Sequence, residues 1–518
     1  MCVARTHAVT LVGVEGLVVE VESHLASGLP GFTLVGLPDT ALSESRDRVR
    51  AAVANSGEAW PRRRITVSLS PAAVHKRGSS FDLAVACSLL AAAGAIPRAG
   101  IHGVALLGEL GLDGRVRPVR GVLPAVLGAA LAGFSRVVVP SDNEAEASLV
   151  PDIHVVGVRS LRQLLAILRG EPASSLADAV DLASPVPPVS PSPGEGSPKP
   201  DLRDVVGQFE GRRALEVAAA GRHHLFLYGP PGSGKTMLAE RLPGLLPPLQ
   251  GASALEVTAI HSVAGRLPPG RPLISTPPFC GPHHTATLPS VVGGGSGLAR
   301  PGAVSLAHGG VLFLDEAPEF AARVLDALRQ PLESGEVVIA RSAGTVRFPA
   351  GFILVLAANP CPCGLAGVRG LDCACTPAVR RRYLGRLSGP LLDRVDMQLD
   401  VRPVSRAQLL DGLSLVETSA CVAARVGEAR DRATRRLAGT PWRTNAEVPG
   451  QALRSRWRPA AGALASVERA MDRGLLTARG FDRVLRVSWT LADLHRRDRP
   501  TAADVDTALF YRTGFAGR

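Results

Sequence analysis

The residues at positions 229 to 236 have the types and spacing of a loop that binds phosphate groups. They follow the pattern G-x-x-x-x-G-K-[ST] and are Gly229, Pro230, Pro231, Gly232, Ser233, Gly234, Lys235 and Thr236. Small residues let successive backbone N–H groups surround a phosphate. Lys235 is one of only three lysines among 58 basic residues, and its ammonium can reach the β- and γ-phosphates of ATP. Because Thr236 also offers a hydroxyl to Mg²⁺, the pattern predicts a site for ATP and Mg²⁺.

Two acidic residues end an apolar run further along the chain. The run GGVLFLDEAPEF places Asp315 and Glu316 at the predicted carboxyl end of a strand, although two acids there could also form a mere turn. Asp315 would hold Mg²⁺, and Glu316 would polarise the attacking water. The next strand, FILVLAANP, ends in Asn359, which could polarise the same water, although asparagine before proline is also an ordinary strand terminator. With the phosphate loop, these residues predict ATP hydrolysis.

Four of the eight cysteines follow Asn359 in a C-x-C-x9-C-x-C pattern. They are Cys361, Cys363, Cys373 and Cys375. Eight cysteines in so long a chain do not make a disulfide scaffold, and two close pairs of thiols favour a structural Zn²⁺. The one-residue gaps are tighter than the usual two to four, so an alternative is that these are small residues in a loop that packs against the ATP site.

The hydrophobic pattern predicts an α/β protein with four segments. Residues 1–175 mix strand-like runs, such as Val9–Val21, with apolar helical stretches, and 182–200 form a linker rich in Pro and Ser. Residues 201–401 alternate short buried strands and helices, as in a parallel sheet. Residues 402–518 are helical, and Thr501 is a candidate N-cap.

Composition limits the class of protein. The formal net charge is +12, and residues 401–518 contribute +9 of it, from 21 Arg against 12 Asp and Glu. A basic domain is typical of nucleic-acid binding, but a coding bias toward arginine would have the same effect. No apolar run approaches the ~20 residues that span a bilayer. The first residues alternate like a strand and lack a signal peptide, which predicts a cytoplasmic protein.

Longer motifs carry a family resemblance over essentially the whole chain. The segments DVVGQFEGRRALEVAAAGRHHLFLYGPPGSGKT, PHHTATLPSVVGGG, NPCPCG and RRYLGRLSGPLLDRVD resemble the YifB/ComM family of magnesium-chelatase-like AAA+ ATPases. The resemblance implies a P-loop AAA+ core with a helical lid, working as a hexameric ring with ATP between subunits. It also implies that Arg394 is an arginine finger, that Arg479 is the sensor-2 arginine of the lid, and that Gln208 lies near the adenine.

The resemblance further implies two insertions that line the pore of the ring. Residues 337–350 are predicted to form a hairpin whose Arg341 and Arg347 could contact a phosphate backbone. The alternative is that this hairpin only packs against a neighbouring subunit. The stretch 276–300 would be the second insertion. It has Cys280 where the family usually has an arginine, which puts a role for charge there in doubt.

The N-terminal segment resembles the Lon protease domain in KRGSSFDLAVA and GELGLDGRVRPVRGVLPAVLGAALAGFSRVVVP. The match places Ser80 at the nucleophile position. Where the protease keeps its lysine, this chain has Leu123, Pro124 and Ala125, and Lys76 comes from another segment. A serine without a base is a poor nucleophile, so we expect a scaffold without proteolytic activity.

The resemblance implies a ring-shaped DNA motor that acts as a helicase or in branch migration during DNA uptake and recombination. The alternatives are an ATP-driven motor that remodels a protein partner, of the magnesium-chelatase subunit type, or a chaperone-like unfoldase. An unfoldase pore usually displays an aromatic loop, and the predicted hairpin has only Phe348, away from its tip.

Overall fold

A computed structural model describes most of the chain. The described residues are 3–36, 44–72, 76, 78–171, 200–268, 270–295, 299–341, 344–366, 372–405, 408, 416–460 and 462–514. The predicted linker at 182–200 lies outside them apart from Pro200, as does the predicted boundary at residue 175.

The N-terminal part of the chain is built on a mixed seven-stranded sheet. The strands of this part are β1 Val3–Val12, β2 Glu15–Ala26, β3 Gly31–Val35, β4 Arg64–Ser70, β5 Val104–Leu106, β6 Glu109–Leu110, β7 Val116–Arg117, β8 Arg136–Pro140 and β9 His154–Val158. Its helices are α1 Ser45–Asn55, α2 Asp82–Ala93, α3 Arg98–Ile101, α4 Val122–Leu131, α5 Glu144–Ala147 and α6 Leu161–Arg169. The sheet order is β3-β4-β2-β1-β5-β8-β9, and β6 pairs with β7 separately.

The strand-like run Val9–Val21 is two strands rather than one. β1 and β2 pair antiparallel around a tight turn, with Val12 opposite Glu15. Gly13 in this turn has φ +68°, a conformation that glycine adopts without strain. A Cβ at this position would lie 2.6 Å from the carbonyl oxygen of Arg347, so another part of the chain approaches the turn closely.

The central part is a parallel five-stranded sheet with helices, which confirms the α/β class. The strands of this part are β10 Leu225–Tyr228, β11 Phe279–Cys280, β12 Gly293–Gly294, β13 Arg300–Pro301, β14 Val311–Leu314, β15 Glu336–Arg341, β16 Gly344–Pro349, β17 Ile353–Ala358 and β18 Met397–Asp400. Two pairs, β12 with β13 and β15 with β16, lie outside the five-stranded sheet. The helices are α7 Phe209–Gly221, α8 Lys235–Arg241, α9 Gly251–Ala264, α10 Leu288–Val292, α11 Ala303–Leu306, α12 Ala322–Ala327, α13 Arg329–Ser334, α14 Pro377–Leu384 and α15 Gly389–Leu392. The sheet order is β11-β14-β17-β10-β18, so β17 lies between β14 and β10.

The C-terminal part is helical. Its helices are α16 Ser419–Arg436, α17 Gly450–Arg454, α18 Ala465–Asp472, α19 Ala478–Leu494 and α20 Ala502–Thr513. The predicted cap at Thr501 is confirmed, because its side chain accepts from the N–H of Asp504 in a capping box. These helices share one hydrophobic core with α7 and one face of the parallel sheet, which fixes them beside the strands.

The N-terminal part packs directly on the central part at two places. Apolar residues of α4 share a core with Ala259 of α9, and the Glu146 carboxylate accepts both from the N–H of Leu123, at 2.8 Å, and from the Ser262 hydroxyl. The predicted hairpin is present as antiparallel β15 and β16, with the tip residues Ser342 and Ala343 outside the described residues. Its Phe348 is fully buried beside apolar residues of the β1–β2 turn region. The hairpin therefore packs on the N-terminal part of its own chain.

Candidate functional site

The phosphate loop runs from the end of β10 to the start of α8. Gly232 and Gly234 have φ of +73° and +93°, which suit glycine and allow the loop to turn tightly. The buried Lys235 ammonium donates to the carbonyl oxygens of Gly229 and Pro230, at 2.7 and 2.8 Å, and to Asn359 Oδ1 at 3.0 Å. Burial lowers the pKa of Lys235, while the charges of Asp315 and Glu316 oppose this shift. The loop, the end of β17 and the two carboxylates thus meet at one point.

The acidic pair lies at the end of β14, beside the loop. Thr236 Oγ1 donates to Asp315 Oδ2 at 2.8 Å, and the N–H of Glu316 donates to Asp315 Oδ1 at 2.9 Å. The backbone of Glu316 has φ +49°, which is uncommon for a residue other than glycine. Strain of this kind is typical of functional positions, where the surrounding structure holds the residue in place.

His284 contacts Glu316 and was not singled out from the sequence. Its Nδ1 lies 3.3 Å from Glu316 Oε2, and its ring lies 4.1 Å from that of His283. The signal was present in the motif PHHTATLPSVVGGG, but a histidine pair in a loop has no spacing that points to a carboxylate 32 positions away. The contact depends on β11 being the sheet neighbour of β14.

The residues at this site fit a nucleotide triphosphate with Mg²⁺. The Ser233 side chain is buried, and its hydroxyl has no hydrogen-bond partner among the described residues. Gln208 Nε2 donates to the carbonyl oxygens of Ser233, at 2.7 Å, and Arg402, at 2.6 Å, so Gln208 ties the phosphate loop to the end of the sheet. A buried ammonium, turned glycines and a paired hydroxyl and carboxylate are the groups that phosphates and Mg²⁺ require.

The two arginines predicted from the resemblance lie apart from this cluster. Arg394 follows α15, forms an ion pair with Glu333 and donates to the Pro390 carbonyl oxygen at 2.6 Å. Arg479 is exposed in the first turn of α19, and no side-chain hydrogen bond or ion pair of Arg479 is found within the described part of the chain. The position of Arg394 is set by α15 and that of Arg479 by α19, rather than by the phosphate loop.

A buried charge cluster joins α19 to the parallel sheet and was missed from the sequence. Arg483 Nη1 lies 2.8 Å from Asp396 Oδ1, and the N–H of His224 donates to Asp396 Oδ2 at 3.0 Å. Burial alone would raise the pKa of Asp396, but Arg483 and His223 hold it well below its ordinary value. Burial also lowers the pKa of His224 to about 4, so His224 is neutral at pH 7. In a chain with 58 basic residues, nothing in the pattern distinguishes Arg483 as the partner.

The four cysteines converge on one point. The Sγ atom of Cys361 lies 3.3 Å from that of Cys363 and 3.6 Å from that of Cys373. Cys363 Sγ is 3.5 Å from both Cys373 Sγ and Cys375 Sγ, and all four sulfurs lie within 4.8 Å of one another. These separations exceed a disulfide bond, about 2.0 Å, and approach the edge of a tetrahedron of sulfurs around Zn²⁺, about 3.8 Å for Zn–S bonds of about 2.3 Å. The cluster could therefore hold a metal ion.

In the region that resembles Lon, the candidate nucleophile Ser80 and the buried Lys76 are not joined in this way within the described residues. Lys76 is buried and donates to the carbonyl oxygen of Pro71, and within the described residues no hydrogen bond joins it to Ser80. Leu123, Pro124 and Ala125 lie in α4, which is buried against α9. The positions that correspond to the protease lysine are thus used for packing between the two parts of the chain.

A basic cavity of about 660 Å³ lies beside β11, in the stretch predicted as the second insertion. Arg266, Arg300 and His283 line it, together with Phe279, and no carboxylate is among its described lining residues. Cys280 also lines it, and burial raises the pKa of this thiol to about 11, so it carries no charge at pH 7. In the hairpin, Arg347 forms an exposed ion pair with Glu336 at 2.9 Å. The positive charge at this cavity therefore comes from Arg266 and Arg300.

Family profiles match three segments of the chain. The profile described as magnesium chelatase, subunit ChlI, matches residues 201–409, subunit ChlI of Mg-chelatase matches residues 21–143, and the ChlI C-terminal profile matches residues 416–512. Among the described residues, no helix has both the length and the apolar character needed to cross a bilayer.

Individual relatives extend the likeness to the full length. An uncharacterized protein of Mycobacterium tuberculosis is 53% identical over 520 residues, which is 100% of both chains. The competence protein ComM of Haemophilus influenzae is 39% identical over 513 residues, 99% of this chain and 98% of that one, and the uncharacterized protein YifB of Escherichia coli is 39% identical over 512 residues, 99% and 97%. Lon protease 1 of Sorangium cellulosum is 31% identical over 143 residues, 26% of this chain and 17% of that one. This partial match supports the Lon-like part of the predicted fold.

Proposed function

Because the chain belongs to the YifB/ComM family of magnesium-chelatase-like AAA+ proteins, we propose that it is an ATP hydrolase that works as a ring-shaped motor. The observation that carries the proposal is the meeting of three strand ends. Lys235, after β10, donates to Asn359 at the end of β17, and the next residue, Thr236, donates to Asp315 at the end of β14. In parallel sheets, ligands bind at the carboxyl ends of the strands, and this is where these residues lie.

Each residue has a role that follows from its chemistry. Mg²⁺-bound ATP supplies the phosphoryl group that is transferred to water. Lys235 and the backbone N–H groups of the loop bind the phosphates, and Thr236 and Asp315 supply oxygen ligands for Mg²⁺. Glu316 orients and polarises the water, and Asn359 holds that water from the neighbouring strand. Gln208 positions the loop through Ser233 and lies on the side of the site where we place the adenine.

We propose further that the active form is a hexamer with ATP between subunits. Arg394 would reach the γ-phosphate of a neighbouring subunit and stabilise the charge of the transition state. Since Arg394 is paired with Glu333, this contact must open as the subunits assemble. Arg479 would act as the lid arginine, and residues 1–175, 201–401 and 402–518 would be the Lon-like domain, the AAA+ core and the helical lid, with 182–200 as the linker.

The substrate that we propose is DNA, moved by a helicase or branch-migration activity. The cavity with Arg266 and Arg300 supports this proposal. Neither arginine has an ion pair within the described part of the chain, and arginines beside the exposed ring of Phe279 suit a phosphate backbone with a stacked base. A protein-remodelling motor of the chelatase or chaperone type is the alternative. The burial of Phe348 argues against an aromatic loop that grips a polypeptide.

The test is the ATPase rate of the full chain with and without forked or three-stranded DNA, with strand displacement read in the same samples. We expect stimulation and displacement, both lost in Lys235→Ala and both reduced when Arg266 and Arg300 are changed to glutamine. A basal rate that no DNA alters would overturn the DNA proposal and leave the ATPase proposal standing.

For the cysteine cluster we propose Zn²⁺, the metal that four thiolates in a tetrahedral arrangement favour. Reduced thiols also fit the cytoplasm, where we place the protein. Metal analysis of the purified chain is expected to find about one zinc per chain.

A further inference from the structure

We propose that the metal held by the four cysteines is a structural part of the ATP site, and that its removal lowers both the turnover of ATP and the affinity for it. The proposal rests on the ATP hydrolysis and the zinc site proposed above. It assigns to the described residues 361–366 and 372–375, called here the cysteine loop, the task of holding Asn359 and the phosphate loop in place.

The first connection is through the chain itself. Cys361 comes two residues after Asn359, whose side chain accepts a hydrogen bond from Lys235 at 3.0 Å. Cys361 is fully buried, so its sulfur is fixed against the end of β17. A metal bound to this sulfur limits the movement of Asn359 relative to Lys235, because only Pro360 separates the two anchored residues.

The second connection is a direct contact with the phosphate loop. Gly364 has φ +78°, and its N–H donates to the Cys361 carbonyl oxygen at 2.9 Å, so it forms the turn between the ligands Cys361 and Cys363 and the rest of the loop. A Cβ on Gly364 would lie 2.4 Å from Cγ of Pro231. The backbone of the cysteine loop therefore supports the outer side of the phosphate loop with no space between them.

The third connection runs through the helix that follows the last cysteine. Arg380 of α14 donates from Nε to the Cys375 carbonyl oxygen at 3.1 Å. Tyr383, in the next turn of α14, is buried, and the nearby backbone of Asn359 opposes the rise that burial causes in the pKa of Tyr383. The chain that follows Asn359 thus carries the four cysteines and then a helix whose Tyr383 lies near the backbone of Asn359. A metal bound to the four sulfurs would hold both ends of this segment together.

Zinc binding converts four thiols into thiolates, and their protons pass to the solvent. Without the metal, sulfurs 3.3 to 3.6 Å apart have only weak thiol contacts to hold them, so the cysteine loop loses its fixed shape. Asn359 then orients water less well, which lowers kcat, and Pro231 loses its support, which raises KM. Loss of a group that orients the residues at a functional site commonly reduces activity by 10- to 100-fold.

The experiment compares the full chain as purified, after zinc removal with a chelator under reducing conditions, and after zinc is returned. Zinc content, ATPase rate, affinity for a fluorescent ATP analogue and thermal unfolding are measured on the same samples. We expect removal to reduce kcat about tenfold or more and to weaken nucleotide binding, with recovery on adding Zn²⁺. Cys363→Ser should behave like the chelated protein, and the exposed Cys421→Ser is the matched control that should not.

Gly364→Ala separates support of the phosphate loop from folding. Its Cβ must displace Pro231, so we expect weaker nucleotide binding in a protein that keeps its zinc. The proposal is overturned if the chain carries no metal, if the zinc-free protein keeps the full ATPase rate and nucleotide affinity, or if its loss of activity only follows global unfolding. If hydrolysis itself is absent, the function proposed above is wrong, and nucleotide affinity with and without zinc still decides whether the metal supports the site.

Discussion

Lys76 and Lys235, the two lysines among the described residues, are both buried, and their surroundings differ in the number of chain segments that meet there. Lys235 donates to two carbonyl oxygens of its own loop and to Asn359, 124 positions away. Lys76 donates to the carbonyl oxygen of Pro71, five positions away. Burial lowers the pKa of both ammonium groups, whereas carboxylates oppose the shift at Lys235. A buried lysine therefore indicates chemistry only where separate strands bring partners to it.

The sheets explain this difference. In the parallel sheet, β14, β17 and β10 are neighbours that point the same way, so their carboxyl ends deliver Asp315, Asn359 and the phosphate loop to one edge. In the N-terminal sheet, β1 and β2 are antiparallel, and the segment that could have supplied a second base is α4, which packs on α9. The two regions share a buried lysine but not the topology that surrounds it with reactive groups.

The largest effect is expected from Lys235→Ala. Loss of the ammonium removes charge from the predicted phosphate site, and we expect the ATPase rate to fall by about a thousandfold. Lys76→Met is the matched control, because it removes the other buried ammonium, and we expect its ATPase rate to stay close to that of the wild type. Equal losses in the two variants, at equal thermal stability, would contradict the distinction between the two regions.

Glu316→Gln tests the chemistry within the ATP site. The amide cannot polarise water as the carboxylate does, so we expect hydrolysis to fall by about a hundredfold or more while nucleotide affinity is kept. His284→Ala should change the rate less, since it removes a neighbour of the carboxylate and not the carboxylate itself. Binding by fluorescence and steady-state hydrolysis distinguish the two steps, and a fully active Glu316→Gln protein would exclude Glu316 as the catalytic group.

Asp396→Asn tests the buried charge cluster of the ATPase part. Removing one member of a buried ion pair leaves Arg483 without its partner and is expected to lower the free energy of unfolding by about 3 kcal/mol. Since the folded pKa of Asp396 lies below its ordinary value of 3.8, its contribution is present above pH 4 and is lost as the pH falls further. Denaturant unfolding from pH 3 to 7 should show this loss of stability at acid pH in the wild type and not in the variant.

Asp82 is the corresponding aspartate of the N-terminal part, and its pKa moves the other way. Burial outweighs the ion pair with Arg48 and raises the pKa of Asp82 from 3.8 to about 6. The contribution of Asp82 is therefore full below pH 4 and is lost as the pH rises through 6, by about 3 kcal/mol at most. Asp82→Asn should remove this pH dependence of the free energy of unfolding between pH 4 and 6, measured by denaturant unfolding. If the wild type and the variant have the same dependence, the carboxyl of Asp82 does not have the raised pKa.

The smallest effect is expected from Ser80→Ala. Within the described residues, no hydrogen bond joins the Lys76 ammonium to Ser80. We expect unchanged ATPase and stability within about 0.5 kcal/mol, as for an ordinary surface substitution. Trapping of Ser80 by a serine-directed reagent in the wild type would contradict this expectation.

Local patterns pointed to the residues that meet at the phosphate loop better than to those around them. The phosphate loop, the acidic pair after β14 and the cysteine cluster each lie in one short segment, so spacing alone singles them out, and the structure brings the members of each group together. His284 and Arg483 act across neighbouring elements, and their roles depend on which strands and helices are adjacent. The turn at Gly13 was missed because the apolar alternation continues through it from β1 to β2. The family resemblance supplied what local spacing could not, namely the fold and the full-length relationship.

Phe348 is buried against the β1–β2 turn, and α4 is buried against α9. The chain therefore cannot be cut between its N-terminal and central parts without exposing apolar surface. A shortened chain beginning at residue 201 would keep every residue of the ATP site. It would also expose the apolar faces of α9 and of the β15–β16 hairpin to water. Such patches drive self-association. We therefore expect the N-terminal part to protect the central part from self-association, so the two parts are best produced and studied together.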